Sequence, residues 1–171
     1  MKPAVVVDTN VPVVSNRRSD QASPACVIAC IERLKRIIEM EAERLALDAG
    51  WLIISEYQHN LKSEGQPGFG DAFLKWVLTN WANLERCERV VITPLDGNPT
   101  DFQEFPRDPG LAHFDPSDRK FIAVALAGEG RRPVVQAVDT KWWQANDALI
   151  RNGVVVEFVC EDDIRRLCRS L

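Results

Sequence analysis

No stretch of this chain is long and apolar enough to cross a membrane, and MKPAVVVDTN at its start lacks the extended apolar region and small-residue cleavage site of a secretory leader. Those absences set the expectation of a cytoplasmic protein. The five cysteines, Cys26, Cys30, Cys87, Cys160 and Cys168, include no CxxC pair and are odd in number, which fits reduced thiols better than a disulfide framework. Cys26 and Cys30 share a helical face at i, i+4, but no histidine lies near them in sequence, so zinc is not expected there. A surplus of basic residues is also missing. The formal net charge of −4 argues against a protein that coats nucleic acid electrostatically, although a carboxylate-rich site whose charge is offset locally by cations would be invisible to that sum. There are no repeats and no low-complexity segments. What remains is ordinary globular composition, 46% hydrophobic and 27% charged over 171 residues, enough for one domain spanning residues 1–171.

The most informative stretch is AVVVDTNV, residues 4–11. Its run of β-branched residues reads as a strand buried on both faces, the central kind in a parallel sheet, with Asp8 at its carboxyl end. Ligands collect at that edge of an open α/β sheet, so Asp8 is a candidate catalytic or metal-binding carboxylate. The next loop carries Arg17 and Arg18, most simply a solvated turn, but also the nearest cations to hold a phosphate if Asp8 marks a phosphodiester site. Ser23 and Pro24 form a helix start. Val27, Ile31, Leu34, Ile38, Ala42 and Leu45 then recur at three and four, predicting one long helix that ends at Gly50. WLII, residues 51–54, reads as a second strand, which puts Glu56 where a strand hands over to a helix. His59 shares a face with Glu56, a weak ligand set by itself. Residues 63–70 are a loop by their glycines and proline, and residues 71–86 a helix buried through Phe73, Leu74, Val77, Leu78 and Trp81. A third strand follows over residues 89–95, then a long irregular stretch over residues 96–110, of the kind that serves as a lid or an insertion.

In DPSDRKFIAVALAGEG, residues 115–130, Asp115 is placed to cap a helix, with Pro116 at its first position and Asp118 at its third. A carboxylate there stabilises the first turn by about 0.3–1 kcal/mol, and the same amide-rich end keeps it ionised and ready to hold a metal. PVVQAV, residues 133–138, is a fourth strand with Asp139 at its end, and VVVEFV, residues 154–159, a fifth, before a terminal amphipathic helix. The alternation predicts an α/β fold with a parallel sheet of about five strands covered on both faces. All carboxyl ends then lie along one edge, where Asp8, Glu56, Asp118 and Asp139 converge. Four such acids repel unless cations sit among them, and oxygen-only ligands favour Mg²⁺ or Mn²⁺ over zinc.

On VVVDTNV, Glu56 at a helix start, DRKFIAVAL beginning with Asp118, and VDTKWW containing Asp139, the chain resembles the PIN-domain (VapC-like) ribonuclease family over nearly its whole length. The resemblance implies a three-layer α/β/α sandwich and metal-dependent hydrolysis of phosphodiesters, usually in RNA. It also implies a catalytic and metal-binding set of Asp8, Glu56, Asp118 and Asp139, with Thr9 and Asn10 as supporting polar groups. Many small members are toxins of toxin–antitoxin pairs, so the family brings with it RNA or single-stranded DNA as substrate, an antitoxin protein and a homodimer as partners, and no membrane. One departure is Lys141, where many members carry a further acid; it weakens a second metal site or contacts phosphate directly. A dinucleotide-binding fold is disfavoured because DTNVPV has no glycine, and a haloacid-dehalogenase-type phosphotransferase because Asn10 stands where it needs a second Asp. The stronger alternative is a PIN-like scaffold without efficient chemistry, working as a nucleic-acid-binding or protein-interaction module.

Overall fold

The valine run becomes strand β1 (Ala4–Val7), buried throughout, and the computed structural model describes all 171 residues around it. A short helix α1 (Asn10–Ser15) follows at once. Helix α2 (Pro24–Ile38) starts as expected: Ser23 accepts a hydrogen bond from the Cys26 amide, and Pro24 needs no partner at the first position. Its end departs from the expectation. The helix stops at Ile38, Glu41 turns the chain at φ 53°, and Arg44–Asp48 forms strand β2 instead of a last helical turn. Arg44, Leu45, Ala46 and Leu47 all favour helix intrinsically, but β2 pairs in parallel with β1 on one side and β3 (Cys87–Val90) on the other, and that pairing overrides local preference.

WLII is correspondingly not a strand. It opens helix α3 (Leu52–Asn60), because the two carboxylate oxygens of Asp48 accept hydrogen bonds from the Leu52 and Ile53 amides, each at 2.8 Å. Helix α4 (Phe69–Asn80) lies directly on α1 at Gly70, where any Cβ would run into the Pro12 carbonyl oxygen. Asp71 and Asn16 lock that contact by exchanging hydrogen bonds at 2.9 and 3.0 Å.

The stretch after β3 is more ordered than its prolines suggest. Strands β4 (Pro94–Leu95) and β5 (Asn98–Phe102) form an antiparallel hairpin turning at Gly97, whose φ of 71° suits glycine. Phe102 and Phe105 are buried in the core, so this segment is anchored. Asp101 ties the hairpin to Arg107 at 2.8 Å and to Arg119 at 3.2 Å, and Arg107 foremost holds the Asp101 carboxyl down at about 2. Since Arg119 opens helix α5 (Arg119–Leu126), the hairpin also braces the turn that carries Asp118. The chain ends with β6 (Val134–Gln136), α6 (Thr140–Gln144), α7 (Asn146–Arg151), β7 (Val156–Phe158) and α8 (Glu161–Arg169).

The five parallel strands lie in the order β3–β2–β1–β6–β7 with helices flanking the sheet, a three-layer α/β/α arrangement. The chain builds outward from β1 to β3 on one side and then returns to build β6 and β7 on the other. The gap beyond the carboxyl ends of β1 and β6 is therefore the topological switch point, the place where open α/β sheets bind ligands. One contiguous core runs from Ala4 to Cys160.

Two features join α2 to the last strand and helix. Arg33, buried on α2, donates to Glu43 and Glu157 at 2.7 Å each. Cys26 and Cys160 form a disulfide, against the expectation of reduced thiols; Cys30, Cys87 and Cys168 are free. The pair is separated by 134 residues, and only the docking of α8 onto the start of α2 brings it together. In the same contact Asp163 accepts from the Ser23 amide and hydroxyl at 2.6 and 2.9 Å.

Candidate functional site

At the switch point an open cleft is lined by Asp8, Thr9, Asn10, Val13, Glu56, Asn60, Asp115, Ser117, Asp118 and Asp139. All four acids singled out in the sequence thus line one cavity. Asp8 follows β1 directly, and the Asn10 amide donates to its carboxylate at 2.9 Å. The Tyr57 hydroxyl donates to the Val7 carbonyl at 2.5 Å, fixing the strand end from the α3 side. Asp139 caps α6 by accepting from the Lys141 amide at 3.0 Å. Asp118 ends a 3₁₀ turn, Pro116–Asp118, immediately before α5, and its side chain makes no capping hydrogen bond. Its placement at the third position of a helix capped by Asp115 is accordingly revised: Asp115 caps only the short turn, through the Ser117 amide and hydroxyl.

Glu56 reaches the cleft by a route the sequence did not indicate. It lies within α3, where the Thr9 hydroxyl and Lys120 Nζ, at 2.7 Å, both donate to its carboxylate. Asn10 supports the other wall, its side-chain oxygen accepting from the Val138 amide at 2.8 Å. Thr9 and Asn10 are thus engaged in holding the cleft walls in position.

The charges are distributed unevenly. Lys120 pairs with Glu56, and Lys141 pairs with Asp115 at 3.0 Å on the rim, whereas Asp8, Asp118 and Asp139 form no ion pair. Burial, reinforced by Asp118 and the other acids, raises the Asp8 carboxyl well above its ordinary range. Burial first, then Asp139, Asp115 and Glu56, raise Asp118 to about 7. Asp139 is raised chiefly by burial, against the opposing hydrogen bond from the Lys141 amide. Three carboxylates without an ion pair therefore line one cleft at the end of the sheet.

Asp115 and Lys120 were not in the predicted set. Asp115 looked like a cap alone; its spacing three residues before Asp118 was the signal that both belong to one turn. Arg17 and Arg18 do not line the cleft: Arg18 donates to the Asn60 carbonyl and approaches buried Asp71 at 3.5 Å, and Arg17 occupies a turn at φ 61°. His59 bonds the Ser55 carbonyl of its own helix. No family model matches the chain, and neither a curated protein nor a solved structure matches it.

Proposed function

We propose that this chain is a metal-dependent nuclease, with RNA as the favoured substrate and Asp8, Glu56, Asp118 and Asp139 as the catalytic set. The observation that carries the reading is the three unpaired carboxylates Asp8, Asp118 and Asp139 lining one cleft at the switch point. Mg²⁺ or Mn²⁺, when bound, would lower the pKa of water and offset charge on the phosphate oxygens. Asp8 and Asp118 would be the principal ligands and Asp139 a further one. Glu56, held between Thr9 and Lys120, would orient the attacking water and take its proton. Lys120 and Lys141 are the cations nearest the acids and would meet the phosphate backbone, with Arg18 beside Asn60 at the cleft's edge. The cleft is open, as a polymeric substrate requires. An antitoxin partner and a homodimer remain part of this proposal through the family resemblance.

The test is cleavage of structured RNAs, unstructured RNAs and single-stranded DNA with Mn²⁺, with Mg²⁺ and with EDTA. Wild-type chain should cut RNA only with metal, and Asp8→Asn should lose at least about 100-fold in rate with its fold intact. Undiminished cleavage by Asp8→Asn would refute the assignment. The lysines on Glu56 and Asp115 favour a second reading, a binding module without efficient chemistry, since each offsets charge that a cation would otherwise neutralise. Metal-independent RNA binding without cleavage by any of the three treatments would select it.

A further inference from the structure

A second cluster lies where α2 meets α8, in a place that shares no lining residue with the acidic cleft. The sulfurs of Cys26, Cys30 and Cys160 all lie within 4.8 Å of one another, and all three residues are buried. Cys26 sits in the first turn of α2, Cys30 one turn on along the same face, and Cys160 at the residue that starts α8. The free Cys30 sulfur stands 3.8 Å from the Cys160 sulfur. That is the edge length of a tetrahedron of thiolates around zinc, about 3.8 Å for a Zn–S bond of about 2.3 Å.

We propose that the reduced chain holds a thiophilic ion of the zinc class on Cys26, Cys30 and Cys160. The disulfide and the ion are then alternative staples for the same contact between α2 and α8. In the conversion a dithiol reductant gives two electrons and two protons to the Cys26–Cys160 bond and becomes a disulfide itself. A divalent ion then displaces three protons, one from each thiol. Asp163 adds negative charge beside Cys30, which favours a bound cation. An open cleft lined by Cys26, Cys160, Asp162 and Asp163 gives the ion a way in and leaves its fourth position to water or a carboxylate.

The competing use of three such sulfurs is a disulfide swap in which Cys30 attacks Cys160. The structure holds the other pairing: Cys160 is bonded to Cys26, and the Cys30 sulfur stands 3.8 Å from that of Cys160 as a free thiol.

The experiment titrates Cd²⁺ into chain that has been reduced and then freed of reductant under argon. Absorbance in the ultraviolet reports thiolate-to-cadmium charge transfer, which carboxylate sites cannot produce, so binding in the acidic cleft does not interfere. One equivalent should give the full band, Zn²⁺ should displace it, and Zn²⁺ should raise the melting temperature of the reduced chain. Cys30→Ser should weaken binding by at least about tenfold, the lower end of the loss seen even for groups that only support a ligand. Cys87→Ser, which alters a buried thiol elsewhere, should leave the band unchanged, and the disulfide form should show none. Absence of the band in reduced, natively folded chain would overturn the proposal, as would an undiminished band in Cys30→Ser. If Cys30→Ser does not fold, wild type decides: Cd²⁺ must shield Cys26 and Cys160 from iodoacetamide while Cys168 stays reactive. Equal alkylation with and without Cd²⁺ would overturn it.

Discussion

In chelator, replacing Asp118 by Asn should make the protein more stable at pH 8. Burial and the fields of Asp139, Asp115 and Glu56 raise the Asp118 carboxyl from the ordinary 3.8 to about 7. Between those values the native chain keeps a proton that the unfolded chain has already released, so the unfolded state binds fewer protons and stability falls as pH rises. The contribution is fully favourable below about pH 4 and lost above about pH 7. Taken alone, the interval sets a ceiling of about 4 kcal/mol. Proton sharing with Asp8 and Asp139, together with solvent in the open cleft, brings the expected loss to about 2 kcal/mol. Asn preserves the shape and carries no charge. For a chain of this size the variant should therefore melt roughly 4–8 °C above wild type at pH 8 in EDTA. The two should converge near pH 4, and saturating Mg²⁺ should reverse the order by stabilising wild type alone. Thermal unfolding followed by circular dichroism from pH 4 to pH 8 provides the readout. Equal melting temperatures at pH 8 in EDTA would show that the three acids do not strain the metal-free fold, and the electrostatic argument would fall.

Asp71 is buried and accepts hydrogen bonds from the Lys62 and Gly68 amides and from Asn16, which hold its carboxyl low despite the opposing effect of burial. Asp71→Ala should cost about 3 kcal/mol in urea unfolding by stranding those donors, and a loss below about 1 kcal/mol would contradict that role. Phe102→Ala should cost about 3–5 kcal/mol by emptying the site under the hairpin; a surface-like effect would mean that the hairpin is not anchored. Lys141→Ala should tighten Mg²⁺ binding about two- to fivefold, measured by calorimetry, because it removes an exposed cation from the cleft rim. If Lys141 instead serves mainly the substrate, Mg²⁺ affinity will stay put while KM for RNA rises.

The strands that could be read from sequence were those built from β-branched residues. Valine runs announced β1, β6 and β7, and the first two lead into Asp8 and Asp139 at the sheet edge. Strand β2 was hidden because Leu45, Ala46 and Leu47 continue the helical spacing of α2, and only neighbours on both sides make that segment extended. The displaced strand assignment at WLII follows from the same error. Glu56 nonetheless lines the cleft, because the turn after β2 leads α3 past the same edge. Asp115 and Lys120 escaped notice because capping and solvation already accounted for them locally. Nothing in the spacing of five cysteines could have paired Cys26 with Cys160, since that depends on where α8 docks.

The order in which the sheet is laid down has a consequence in time. Asp8 and Glu56 belong to the half of the chain that builds outward from β1, whereas Asp115, Asp118 and Asp139 arrive only with the returning half. A nascent chain that has left the ribosome only as far as α4 carries two of the acids and none of the rest. The cleft comes into being only after β6 has docked beside β1.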